Sequence, residues 1–223
     1  MDFGSPASLI DHTLLKADSR TEQIRQLCEE AVEYGFASVC IPPSYVSLAA
    51  DMLYGSDVAV GTVVGFPLGY TSAAAKAFET QDAVRKGAAE IDMVIPIGVA
   101  LEGRLDEILN DIRQVVVAAG KAKVKVILEC CYLGDALKKD LTRLVVEGGA
   151  AYVKTSTGFG PGGATESDVA LLSAAAAGRI GVKAAGGIRD WESCRRMLAA
   201  GATRIGTSAG VAIVEQWRRQ GGL

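Results

Sequence analysis

The chain has 223 residues, of which 49% are hydrophobic and 22% charged, with a net charge of −3. That suits a globular protein with a large core, built as one big domain or two small ones. No block of like charges occurs, which excludes an electrostatic footprint for DNA, RNA or an anionic membrane. The opening stretch MDFGSPASLIDHTLL lacks a basic segment followed by an apolar one, so it does not read as a signal peptide. No apolar run reaches the length of a membrane span. The five cysteines (Cys28, Cys40, Cys130, Cys131 and Cys194) form no C-x-x-C pair. They read as reduced thiols, and the expected location is the cytoplasm.

Along the chain, short apolar runs alternate with amphipathic ones. The first strand is expected at SLIDHTL (8–14), carrying Asp11, His12 and Thr13. A helix follows over SRTEQIRQLCEEAVEYG, where Ser19 stands three residues before Glu22 in a capping-box pattern and Gly35 is the stop. SVCIPP (38–43), VAVGTVVGF (58–66) and EIDMVIPI (90–97) are the next strands, the last with Asp92. RLDEILNDIRQVVVAAG sets Leu105, Ile108, Ile112 and Val115 or Val116 on one helical face. KVKVILECC (123–131) is the fifth strand, with Lys125 and Glu129 at the same parity, and the helix DALKKDLTRLVVEGG follows it. YVKTSTG (152–158) carries Lys154, and TESDVALLSAAAAG is a helix with Thr165 as N-cap. IGVKAAGG (180–187) carries Lys183, the helix DWESCRRMLAAG follows, and RIGTSAG (204–210) is the eighth strand. Near-continuous apolar strands point to a parallel sheet covered on both faces. Eight strand–helix units leave no room for a second domain. The expected fold is α/β, a single (β/α)8 TIM barrel with short loops over residues 1–223.

In such a barrel, chemistry sits at the C-terminal ends of the strands. Lys154 and Lys183 interrupt apolar strands, and burial of Val153 and Val182 against helices turns both lysines inward. A buried ammonium is costly unless paired. One reading is a structural Lys–Asp pair. The other is amine catalysis: neighbouring strands about 4.8 Å apart bring the two amines together, and the repulsion lowers the pKa of one into the range of a nucleophile. Asp92 is then placed to shuttle protons. Separately, AAGGIRD (184–190) and GTSAG (206–210) follow the last two strands, the recurrent phosphate position of this architecture. Gly186 and Gly187 allow close approach of backbone N–H groups, Ser208 adds a hydroxyl, and Gly158 offers a further N–H. His12 is the lone histidine and reads as structural. No His-based zinc site can be built from it, and no G-x-S-x-G nucleophile elbow accompanies it, so neither zinc chemistry nor a Ser-His-Asp triad is expected. Cys40 reads as a buried thiol. Cys130 and Cys131 point to opposite faces.

With these residues assembled, the sequence resembles the deoxyribose-phosphate aldolases. The matching stretches are IDHTLLKAD, SVCIPPSYV, VVGFPLG, EIDMVIPIG, KVILE, YVKTSTGFGPGGAT, VKAAGGIRD and GTSAG, in order from residue 10 to residue 210. The resemblance implies a class I, Schiff-base aldolase, with no metal or organic cofactor, that reversibly splits 2-deoxy-D-ribose 5-phosphate into D-glyceraldehyde 3-phosphate and acetaldehyde, within deoxyribose phosphate degradation. It implies Lys154 as the Schiff-base lysine, Lys183 as the lysine that perturbs it and Asp92 in the proton relay. Gly186, Gly187 and Ser208 fall in its phosphate loops. The expected partners are a small phosphosugar and further copies of the chain, as a dimer or tetramer, with no nucleic acid and no membrane. Three positions depart from the family pattern: Pro96 where Asn is common, Ala209 where a second Ser is common, and Cys130 where Thr is frequent.

Overall fold

The computed structural model describes residues 4–221. Residues 1–3 and 222–223, at the ends of the expected domain, lie outside the described residues. The strands are β1 (Ile10–Thr13), β2 (Ser38–Ile41), β3 (Ala59–Val64), β4 (Glu90–Val94), β5 (Lys123–Ile127), β6 (Tyr152–Lys154), β7 (Gly181–Ala185) and β8 (Arg204–Thr207). All pair in parallel, each with its sequence neighbour, and β8 returns to β1 to close an eight-stranded barrel. Among the described residues the helices are α1 (Thr21–Tyr34), α2 (Val46–Met52), α3 (Ala73–Arg85), α4 (Ile97–Leu101), α5 (Leu105–Ala119), α6 (Asp135–Glu147), α7 (Glu166–Ala176), α8 (Trp191–Ala199) and α9 (Gly210–Arg219).

The strands are shorter than their apolar runs because the last residues of each run leave the ladder to build the loops. The fifth strand stops at Ile127 rather than running to Cys131. Glu129 takes a left-handed backbone (φ 58°), and Cys130–Tyr132 form a 3-10 turn that buries Cys130 and exposes Cys131. The parity expected to link Lys125 with Glu129 is therefore broken. The sixth strand ends at Lys154, and the eighth at Thr207. At the first helix, Ser19 is not the cap: its hydroxyl donates to the Lys16 carbonyl, and the Gln23 side chain accepts from Arg20 N–H at 2.9 Å. Thr165 does cap α7, accepting from Asp168 N–H at 3.1 Å.

Alternation along the strands produces two different interiors. The outward residues Val39, Ile41, Val60, Ile91, Met93, Val126, Val153, Val182 and Ile205 are buried against the helical shell. Ile108, Ile112 and Val115 of α5, Leu141 and Val145 of α6, and Val169 and Leu172 of α7 meet them. That apolar belt supplies the hydrophobic stabilisation, at roughly 25 cal/mol per Å² removed from water. Inside the barrel, where branched aliphatic side chains usually stack in layers, the chain places Asp11, Glu90, Asp92, Lys125, Lys154, Lys183 and Arg204, all buried. The barrel interior is ionic, and the fold depends on its pairing.

Candidate active site

Register brings the two lysines together. Lys154, the last residue of β6, pairs with Lys183 of β7, and Asp92 of β4 pairs with Lys125 of β5. Lys154 Nζ donates to Asp92 Oδ2 at 2.8 Å, and Lys183 Nζ donates to the same oxygen at 2.7 Å. Lys125 Nζ donates to Asp92 Oδ1 at 3.0 Å. Lys183 lies 2.5 Å from Asp11 Oδ2, and Arg204 holds Asp11 Oδ1 at 2.6 Å. Space for the Lys183 stem is made by Gly206 on the adjacent strand, where a β-carbon would come within 2.9 Å of Lys183 Cε. The structural pair and the lysine pair foreseen as alternatives thus occupy one constellation.

The electrostatics separate the two amines. Burial pushes Lys154 below its ordinary value; Asp92 opposes that shift and the Lys183 charge reinforces it. Lys183 is also desolvated, but Asp11 and Asp92 outweigh the penalty and hold it above its ordinary value. Burial disfavours the Asp92 carboxylate, yet Lys125, Lys154 and Lys183 hold it well below the usual range. The result is a buried anion between one firmly charged amine and one amine that gives up its proton easily. Cys40 is buried on β2, and desolvation pushes its thiol up. His12 sits on the other face of β1 from Asp11, with Nε2 2.7 Å from Glu30 Oε2 of α1.

Loops at the same end carry the remaining candidates. Gly158, Gly186 and Gly187 have φ of 87°, 91° and 82°, conformations that favour glycine. Gly163 approaches Gly186 so closely that a β-carbon there would sit 2.3 Å from the Gly186 carbonyl oxygen. Thr207 Oγ1 donates to the Ile188 carbonyl at 2.7 Å and ties the loop after β7 to the end of β8. Ser208 is exposed just before α9. The two loops differ in one respect. The N-terminus of α8 is filled by Asp190, whose carboxylate accepts from Ser193 N–H at 2.7 Å, whereas Ala209 leaves the start of α9 without a side-chain cap. Of the two helix starts, only that of α9 is left open to an anion. Pro96 is the N-cap residue of the short α4, and Ala209 that of α9.

Several contacts had no counterpart in the sequence pattern. Glu129 accepts from Thr157 N–H at 3.1 Å and from the Thr157 hydroxyl. The same Thr157 oxygen accepts from Phe159 N–H at 3.0 Å. Phe159 meets Phe66 of the loop after β3 edge-to-face, with ring centroids 5.3 Å apart. The hydroxyls that follow Lys154 therefore serve mainly its surroundings: Thr155 bridges to Ala185 of β7, Thr157 anchors the loop, and Ser156 Oγ is buried with no hydrogen-bond partner. On the outer side, Lys76 of α3 donates to the Val94 carbonyl at 2.8 Å and to Asp111 Oδ2 at 2.6 Å, fixing the end of β4.

The sequence profile of the DeoC/LacD family aldolases matches residues 7–216. The chain belongs to that family. It is 62% identical, over 96% of its length and 97% of the relative's, to the deoxyribose-phosphate aldolase of Syntrophotalea carbinolica. It is 57% identical to that of a Geobacillus species, with 94% of each chain covered. Among solved structures, the tetrameric deoxyribose phosphate aldolase of Aeropyrum pernix superposes with a TM-score of 0.89 at 34% identity, covering 96% of this chain and 91% of that one. As a DeoC/LacD member the protein is an aldolase, a lyase. Within this family barrel, the lysine pair and the shared carboxylate lie buried on β4, β6 and β7, and the glycine loops follow the C-terminal ends of β6 and β7.

Proposed function

We propose that the protein reversibly cleaves 2-deoxy-D-ribose 5-phosphate to D-glyceraldehyde 3-phosphate and acetaldehyde, with Lys154 as the amine that forms the Schiff base. The observation that carries the assignment is the sharing of Asp92 Oδ2 by Lys154 and Lys183, one amine with a lowered and the other with a raised pKa. An unprotonated Lys154 attacks C1 of the open-chain sugar, and water leaves to give an iminium. That cation is an electron sink: the C3 hydroxyl loses its proton, the C2–C3 bond breaks, and glyceraldehyde 3-phosphate departs from an enamine. Protonation at C2 restores the iminium, and hydrolysis releases acetaldehyde and the amine. Asp92, placed between the two amines, and the charged Lys183 supply the base and acid of these transfers.

The phosphate is assigned to Gly186, Gly187 and Ser208, with Gly158 on the facing loop. Support comes from the positive φ of the three glycines and from the open start of α9. A β-carbon on Gly158 or Gly187 would meet nothing within 4 Å, so both backbones face open space. The reading includes no metal or organic cofactor, a cytoplasmic setting and a homo-oligomer. The tetrameric Aeropyrum pernix relative supports the last of these. The test is a product assay with deoxyribose 5-phosphate, paired with reductive trapping by acetaldehyde and cyanoborohydride. An ethyl adduct on Lys154 and aldehyde release are expected. No cleavage, or an adduct confined to another lysine, overturns the assignment.

A further inference from the structure

The chemistry above uses Lys154, Lys183 and Asp92 and leaves four buried ionisable groups of the barrel interior without a role: Asp11, Glu90, Lys125 and Arg204. Lys125 is fully buried and touches three carboxylates: Asp11 Oδ2 at 3.0 Å, Glu90 Oε2 at 2.5 Å and Asp92 Oδ1 at 3.0 Å. Arg204 lies 2.6 Å from Asp11 Oδ1 and 3.3 Å from Glu90 Oε2. Four basic side chains (Lys125, Lys154, Lys183 and Arg204) therefore face three carboxylates (Asp11, Glu90 and Asp92). An excess charge in a desolvated interior is expensive. Release of one proton from one amine removes the excess. Arg204 cannot supply that proton. Lys125 is held by three carboxylates and Lys183 by two. Lys154 has one, at 2.8 Å, and the oxygen it uses is already taken by Lys183. Lys154 is the amine that gives up its proton at least cost.

We infer that Lys125 is a positioning residue for the reaction: its fixed charge, locked among Asp11, Glu90 and Asp92, is what leaves Lys154 a neutral amine. The inference rests on the reading of Lys154 as the Schiff-base former. The directions of ionisation agree with it, since Lys125 is held well above its ordinary value by the surrounding carboxylates despite burial, and Lys154 alone of the three lysines is lowered. The other groups facing the cluster leave the balance intact. Desolvation keeps the Cys40 thiol of β2 protonated, and Ser38 of β2 donates to Asp11 Oδ1 at 2.7 Å. Tyr152 of β6 offers a hydroxyl to Arg204 at 3.4 Å. Lys123 of β5 lies 4.0 Å from Glu90 Oε1 but is 57% exposed and screened by water. The β3 sequence AVGTVV holds no ionisable side chain.

The experiment follows the rate of acetaldehyde and cyanoborohydride labelling of Lys154 against pH in the full-length protein, with peptide mapping. Lys125→Met removes one positive charge at similar volume, so Lys154 keeps its proton and the labelling midpoint moves to higher pH. The expected shift is about one to two units, the effect of one unit charge a few ångströms away at an effective dielectric near 20. Glu90→Gln removes one negative charge and moves the midpoint to lower pH. Lys125→Met/Glu90→Gln restores the balance and returns the midpoint to the wild-type value. Disruption of packing alone does not move two single variants in opposite directions. If Lys125→Met does not fold, the downward shift of Glu90→Gln and the return in the double variant carry the test. Unchanged midpoints, or single variants that shift the same way, overturn the inference and leave the aldolase assignment standing. A wild-type adduct on a lysine other than Lys154 overturns both.

Discussion

Lys154 and Lys183 donate to one and the same oxygen of Asp92, at 2.8 and 2.7 Å, from paired positions on adjacent strands. Two ammonium groups on one acceptor would repel each other, and of the two lysines Lys183 has a second carboxylate, Asp11 Oδ2 at 2.5 Å, while Lys154 is paired with Asp92 alone. The asymmetry between nucleophile and partner is thus written into which amine has the extra carboxylate.

Asp92 consequently carries both stability and catalysis. Asp92→Asn leaves the buried ammonium groups of Lys125 and Lys183, with the Lys154 amine, around an amide, and breaking a buried ionic set in this way costs about 3–5 kcal/mol. Urea denaturation should show that loss together with the disappearance of turnover. A variant of wild-type stability would mean that the lysines find other partners.

The same carboxylates set the acid limit of the fold. Asp11 and Asp92 ionise below the ordinary value of 3.8, so in the unfolded chain they bind protons that the native state refuses. Their contribution is fully present above the unfolded value and is lost as pH falls toward the folded one. The melting temperature is expected to decline progressively below about pH 4 for this reason. A decline that begins near neutrality would point to a different group.

Much of this was legible from the chain alone, for a physical reason. Period-two alternation in a parallel strand leaves a charged residue few places to go, so Lys154, Lys183 and Asp92 announced themselves by interrupting apolar runs. Glu90 stands two residues before Asp92 and Arg204 two before Gly206, and the same parity rule applied to them would have placed both inside. The rest was not local. Glu129 reaches Thr157 only because its backbone turns left-handed after β5, which no alternation rule encodes. The closure of the α8 N-terminus by Asp190 is a capping contact that competes with an anion for the same N–H groups. Lys76 lies on a helix with no strand parity to betray its burial.

The Glu129–Thr157 contact leads to a prediction about substrate binding. Thr157→Val removes the hydroxyl that serves both Glu129 and the Phe159 N–H, which frees the loop bearing Gly158 and Phe159. Loss of a buried hydrogen bond to a charged group costs about 1.5–3 kcal/mol, so KM for deoxyribose 5-phosphate should rise about ten-fold or more. Acetaldehyde labelling of Lys154 needs no contact with this loop and should keep its wild-type rate. A parallel fall in labelling would show that the loop supports Lys154 itself.

Ser208 is tested by charge. Ser208→Asp places a carboxylate at the exposed start of α9, where the phosphate dianion is assigned. KM should rise far more for deoxyribose 5-phosphate than for unphosphorylated deoxyribose. Equal changes for the two substrates would remove Ser208 from the phosphate site.

The decisive variant is Lys183→Leu, which keeps approximate bulk and deletes the neighbouring charge. Lys154 then has Asp92 Oδ2 to itself and loses the repulsion of a second ammonium, and both changes favour its protonated form. A unit charge about 5 Å away at an effective dielectric near 20 is worth about 3 kcal/mol, or about two pH units. Labelling of Lys154 by acetaldehyde and cyanoborohydride should therefore be slow at pH 7 and recover as pH rises by about two units. Lys154→Ala, by contrast, should abolish labelling and turnover at every pH, because it removes the amine itself. If Lys183→Leu labels at the wild-type rate at pH 7, the Lys183 charge does not depress Lys154, and the second lysine serves only in proton transfer. An adduct that maps to Lys183 in the wild type would reverse the two roles.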